Sequence, residues 1–358
     1  MGGCRTFAVA IVLLVGSPAF AGLYDGSQLT SSLFTATGVK PLNYEQLQDE
    51  LGKLTAVADP KIRLGPGVAA RAAVVKQRDE LLSRGPASLD PTALSHLGAL
   101  QWRLRDGDAA LNTLRQATNR DPRNFWALTN LGSVHQSLGQ LREALSNLEA
   151  ARDVFPDPWP DGPKAAAEWY RQAENYQFRL VRSRLKETMG RPAGGRPIAA
   201  SDVDDLFAGL KFVGPSGQFE AGKLADAERA KLPKDAVAIV QQLLLWFPED
   251  ARLLWLLGEL YNADGNLEAA LKMFDMCIWS RRYESPALRD HRRIVQEAFE
   301  SRANAAEPVP SETPPAASIL PGTWQVYTVS IIFGALLLAL GYWQASELLR
   351  RLRGRTIE

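Results

Sequence analysis

The chain has 358 residues, 46% hydrophobic and 23% charged, which is ordinary globular composition and excludes a wholly disordered polymer. A formal net charge of +1 supplies no global field that would steer it to nucleic acid or to an acidic surface. Of the two cysteines, Cys4 lies in a segment expected to be removed, which leaves Cys277 no intramolecular disulfide and predicts that it packs as a small hydrophobe.

Residues 1–21 (MGGCRTFAVAIVLLVGSPAFA) combine Arg5, a short apolar run, the breakers Gly16 and Pro18, and a final Ala-Phe-Ala. This pattern predicts an export signal cleaved after Ala21, the apolar run being too short to span a bilayer comfortably. Residues 22–90 are expected to form an N-terminal helical region. In residues 91–156, an offset of 34 pairs Leu94 with Leu128, Leu97 with Leu131, Gly98 with Gly132, and Leu104 with Leu138. The same register pairs Ala110 with Ala144, Leu111 with Leu145, Leu114 with Leu148, Ala117 with Ala151, and Pro122 with Pro156. That period is the length of a helix-turn-helix unit that stacks on copies of itself.

On these residues the chain resembles a tetratricopeptide repeat (TPR) protein. Gly132 and Ala144 stand where helices cross closely, Gly139 closes the turn, Leu128, Leu131 and Leu148 fill the gap, and Pro156 ends the second helix. Residues 251–282 are a third copy through Leu254, Leu257, Gly258, Tyr261, Gly265, Ala270 and Phe274. It departs from the pattern at Cys277 and Arg282, and in the first copy the turn glycine, Gly107, is displaced by two positions. The resemblance implies an all-α, TPR-like α-solenoid whose first helices line a groove for a protein or peptide partner. The expected groove residues are Trp102, Arg103, Trp126, Thr129, Gln136, Arg252, Trp255, Glu259 and Asn262. The Lys and Asn pattern with which some members of the family hold a C-terminal carboxylate is not present.

Residues 157–235 are expected to hold a long helix (about 162–189, with Trp169, Tyr170 and Tyr176), a Gly/Pro loop (190–197) and a β-hairpin insertion. The hairpin is predicted over 210–224, where residues alternate around Gly214-Pro215-Ser216-Gly217. Asp202, Asp204 and Asp205 follow Ser201 and predict a helix start. Residues 236–303 give a second-helix equivalent (DAVAIVQQLLLWFP), the third copy, and a capping helix from Ser285-Pro286 with Leu288, Val295 and Phe299 on one side.

Residues 304–323 read as a proline-rich linker, with five prolines in 307–321. Residues 324–343 (WQVYTVSIIFGALLLALGYW) have the length and edge aromatics of a transmembrane helix. Arg350, Arg351, Arg353 and Arg355 make 344–358 a basic tail retained in the cytoplasm, so the body is expected on the extracytoplasmic, periplasmic side. The excess of Arg over Lys and the Ala, Gly and Pro richness suggest a bacterial chain.

None of the histidines, His96, His135 and His291, has a second His or Cys at metal-ligand spacing, and His135 stands at a packing position. No Gly-x-Ser-x-Gly, His-Glu-x-x-His or dinucleotide fingerprint occurs. No catalytic residue, cofactor or metal is therefore expected, and no nucleic acid partner. The sequence predicts a non-enzymatic scaffold tethered to a membrane. Its alternative is a subunit of a membrane enzyme or of a transport or assembly complex, with a site near the 190–235 insertion.

Overall fold

The structure, a computed structural model, describes residues 24, 33–35, 38–159, 164–189 and 202–306. The expected export signal, Gly/Pro loop, span and basic tail, and the linker beyond residue 306, lie outside these residues. Among the described residues no helix is long and apolar enough to cross a membrane. The chain divides into units 1–304 and 305–358, and all but the last two described residues belong to the first.

The described chain is mostly helical. Ahead of the helices, two short strands, β1 (Phe34–Thr35) and β2 (Gly38–Val39), pair antiparallel with Phe34 opposite Val39. Among the described residues of the 22–90 region, the first helix is α1 (Tyr44–Ala58), and residues 24, 33–35 and 38–43 before it are not helical. A capping box fixes that start: Gln46 N donates to Asn43 Oδ1 (2.8 Å) and Asn43 N to Gln46 Oε1 (3.1 Å). The helix then buries Leu47, Leu51, Leu54 and Val57 along one stripe. After α2 (Pro66–Ser83) come α3 (Pro91–Arg103), α4 (Gly107–Arg120), α5 (Phe125–Ser137), α6 (Leu141–Asp153) and α7 (Lys164–Met189). The single-turn α8 (Asp226–Arg229) precedes α9 (Ala236–Trp246), α10 (Ala251–Ala263), α11 (Leu267–Asp275) and α12 (Pro286–Ala306). The last helix runs through 304–306, which the sequence assigned to the linker.

Three antiparallel helix pairs, α3 with α4, α5 with α6 and α10 with α11, share one internal construction. Each first helix starts on a side-chain cap: Ala93 N donates to Asp90, Ala127 N to Asn124 and Leu253 N to Asp250. Each also ends on a left-handed residue, Arg105 (φ 68°), Gly139 (φ 72°) or Gly265 (φ 77°). The next amide then reaches back to the last turn, Asp106 N to Gln101 O, Gln140 N to His135 O and Asn266 N to Tyr261 O, at 2.9–3.0 Å. Gly107 is therefore not a displaced turn glycine, because it begins α4 and the turn position belongs to Arg105.

The helix crossings repeat as well. A Cβ on Gly98 would lie 2.6 Å from Leu114 Cγ, one on Gly132 2.9 Å from Leu148 Cγ, and one on Gly258 2.4 Å from Phe274 Cε1. The small residue thus sets the distance of the two helices, and the large one fills what remains. In the third pair Cys277 falls in a π-helical turn (Met276–Ser280), buried, with Sγ donating to Ala251 O at 3.1 Å. Burial pushes this thiol up to about 12, so it is held as a neutral packed group.

The predicted β-hairpin does not form. Gly214 N does donate to Gln218 O (2.7 Å) and closes a tight turn, but residues 210–224 contain no strand. Their backbone groups are taken by helices instead: Lys211 N donates to Glu228 Oε2, and Gly222 N to Asn262 Oδ1. Asp202, Asp204 and Asp205 begin no helix either; Asp204 is buried against Arg184 and Arg252. On α12, Leu288 and Val295 are buried as expected, while Phe299 remains 37% exposed.

Candidate functional site

The ends of several helices enclose a cleft of about 560 Å³. Leu54, Thr55 and Ala58 of α1, Trp102 and Arg103 of α3, and Arg105 form one side of its lining. Gln136 and Ser137 at the end of α5 with Leu138 and Gly139 after it, Arg184 of α7, Trp246 of α9 and the α9–α10 connection from Phe247 to Asp250 form the rest. Three of the residues expected in the groove, Trp102, Arg103 and Gln136, therefore meet on one surface. Gln136 Oε1 accepts from Gln177 Nε2 of α7 (3.0 Å), while its own Nε2 meets no partner among the described residues. An unsatisfied buried donor beside an opening costs about 1–3 kcal/mol, which an acceptor on a ligand would recover.

Charge in the cleft is held by ion pairs. Arg105 pairs with Glu249. Arg184 pairs with Asp204 and Asp250, each at 2.6 Å, and Arg252 pairs with Glu187 (2.8 Å) and Asp204 (2.9 Å). Burial alone would push the Asp250 carboxyl up, but the Arg184 guanidinium outweighs it and holds the group below its ordinary value. Asp250 also caps α10, so α7, α10 and the segment around Asp204 are locked together at the cleft floor.

The other expected groove residues are not on an open face. Trp126 is half-buried against Tyr24 (ring centroids 5.0 Å apart) and Trp159 (5.2 Å), and Thr129 is buried on the same helix. On α10, Arg252 is used by its ion pairs, and Trp255 is completely buried, its Nε1 donating to Glu259 Oε1 at 2.6 Å. His291 of α12 closes over them, 2.7 Å from Glu259 Oε1 and stacked on Phe219 with centroids 3.7 Å apart. Asn262 binds Glu220 O and Gly222 N. The open face expected on α10 is thus corrected: the 210–224 segment and α12 cover it.

Two residues that sequence reasoning passed over organise the remainder. Asn130, completely buried in α5, accepts from Tyr24 N (2.7 Å) and donates to Tyr24 O (2.8 Å), with Ser95 Oγ taking its other N–H (2.9 Å). Gln241 of α9 treats Leu42 in the same way, with both bonds at 2.8 Å, and also donates to Tyr261 Oη (2.9 Å). A side-chain amide used like this replaces one rung of a β-ladder. Each is an amide inside an apolar helical run (FWALTNLGSV, AVAIVQQLLLW), and that misplacement was the available signal.

The Tyr24 ring enters a wall made by Phe125, Trp126, Trp159, Tyr170 and Trp246, at centroid distances of 5.0–5.9 Å. Glu174 is buried beside it. Burial pushes this carboxyl from its ordinary 4.5 up to about 8, the Tyr24 hydroxyl pulling the other way, so the acid is mostly neutral at pH 7. Among the described residues no cluster of His, Cys, Asp and Glu could hold a metal ion. The chain matches no model of a known protein family, and a search of the curated proteins finds no match.

Proposed function

We propose that the chain is a non-enzymatic, TPR-like α-solenoid scaffold that binds a polypeptide partner on its inner face. Residues 324–343 tether it, with the body on the extracytoplasmic side. The cleft carries the reading: one hairpin construction recurs, and the ends of its first helices supply Trp102, Arg103 and the unsatisfied amide of Gln136 to a shared opening. Indole and guanidinium groups on a concave surface are the side chains that dominate polypeptide interfaces. The address rests on the sequence alone, through the export pattern of residues 1–21 and the arginines after the span. No residue of 202–235 lines this cleft, so the alternative of a site at the insertion draws no support from it.

The test is cross-linking and capture from membranes, comparing the unchanged chain with a Trp102→Ala, Arg105→Ala double variant whose helix content is unchanged. Recovery of one specific partner, at least tenfold reduced in the variant, is expected. Equal recovery would remove the cleft as the working surface, and no specific partner at all would remove the scaffold reading.

A further inference from the structure

The N-terminal arm is held by side chains of distant helices, at Tyr24 from α5 and at Leu42 from α9. Between these points its described residues form the two-residue strands β1 and β2. At Tyr24 the hold consists of one backbone N–H, one backbone C=O and one aromatic ring. The first two belong to any residue in extended conformation, so Asn130 reads backbone and the ring wall reads an aromatic side chain.

The fit of the resident is incomplete. Trp159 Nε1, a buried donor whose ring lies against Tyr24, has no partner among the described residues. Such an orphan costs about 1–3 kcal/mol, so a segment that supplied an acceptor to the indole would be held better than the arm is.

We propose that the slot formed by Asn130, Ser95 and the ring wall is a binding site for an extended partner segment with an aromatic residue at the clamp. The arm carrying Tyr24 is its resident, displaceable occupant. This deepens the scaffold reading and rests on it. A partner must compete with a tethered occupant whose effective concentration is on the order of millimolar, so the arm sets a threshold for binding.

The experiment uses the full chain and, as probe, a synthetic peptide copying residues 22–32 (GLYDGSQLTSS) with a dye at its C-terminus, read by fluorescence anisotropy. The Tyr24→Ala chain is expected to bind the peptide at least tenfold more tightly than the unchanged chain does. Adding Asn130→Leu, or replacing the peptide's tyrosine by alanine, is expected to abolish that gain. A folded Tyr24→Ala chain that binds no better than the unchanged one overturns the proposal. Should Tyr24→Ala not fold, hydrogen exchange on the unchanged chain decides: the Tyr24 amide is expected to exchange at least tenfold faster than the core amides of α5. Exchange only through global unfolding would make the arm a fixed structural element and overturn the proposal. Because the probe needs no cellular partner, lost peptide binding strikes the slot alone, whereas failed partner capture with intact peptide binding strikes the scaffold reading.

Discussion

Arg105 adopts the left-handed conformation that its two counterparts, Gly139 and Gly265, leave to glycine. A side chain there costs about 1–2 kcal/mol, and what it brings in return is a half-exposed ion pair with Glu249, a class worth about 0–1 kcal/mol. Arg105→Gly is therefore expected to stabilise the fold by about 0–2 kcal/mol, read as a rise in the urea midpoint. A fall in the midpoint would show that the pair across the cleft outweighs the strain. Glu174 gives a second test. Its folded carboxyl titrates near 8 against an ordinary 4.5, so the folded state binds the extra proton and stability falls as pH rises through this window. The slope is about 1.4 kcal/mol per pH unit at its steepest, flattening below the lower value and above the upper one. Urea midpoints measured at several pH values should show this fall in the unchanged chain and a smaller one in Glu174→Gln, with the variant the more stable of the two at pH 8.

At the scale of elements, the repeated glycine-against-large-residue crossing makes one substitution behave oppositely in two helices. Gly132→Ala places a methyl 2.9 Å from Leu148 and is expected to destabilise by about 1–3 kcal/mol through overpacking. In α1, Gly52→Ala meets nothing within 4 Å and is expected to stabilise by about 0.5–1 kcal/mol through helix propensity. Equal effects at the two sites, measured by denaturant unfolding, would show that the crossing is not tight. These crossings were legible in the sequence because they repeat: Gly98, Gly132 and Gly258, and Leu114, Leu148 and Phe274, stand in one register. The 210–224 segment was misread for the complementary reason. Its alternation and its turn residues were those of a hairpin, but the competitors for its backbone, Glu228 and Asn262, are side chains that local pattern does not bring near.

For the whole molecule, sequence indicated which helices pair but not which other segments pack against them. Trp102, Arg103 and Gln136, expected in a groove, line the cleft. Trp255, Glu259 and Asn262 had the same helical register, yet they are buried, because a repeat pattern describes how copies stack and is silent about segments returning from elsewhere in the chain. Arg184 escaped notice for the same reason, since its partners Asp204 and Asp250 lie 20 and 66 residues away. The two amide clamps have one more consequence, in the order of events during folding. Tyr24 waits for a partner 106 residues downstream and Leu42 for one 199 residues downstream. The helix pairs close over short loops and need neither contact, whereas closing such long loops is entropically slow. What is synthesised first therefore docks last, and until it does the wall of Phe125, Trp126, Trp159, Tyr170 and Trp246 lacks the ring that fills it.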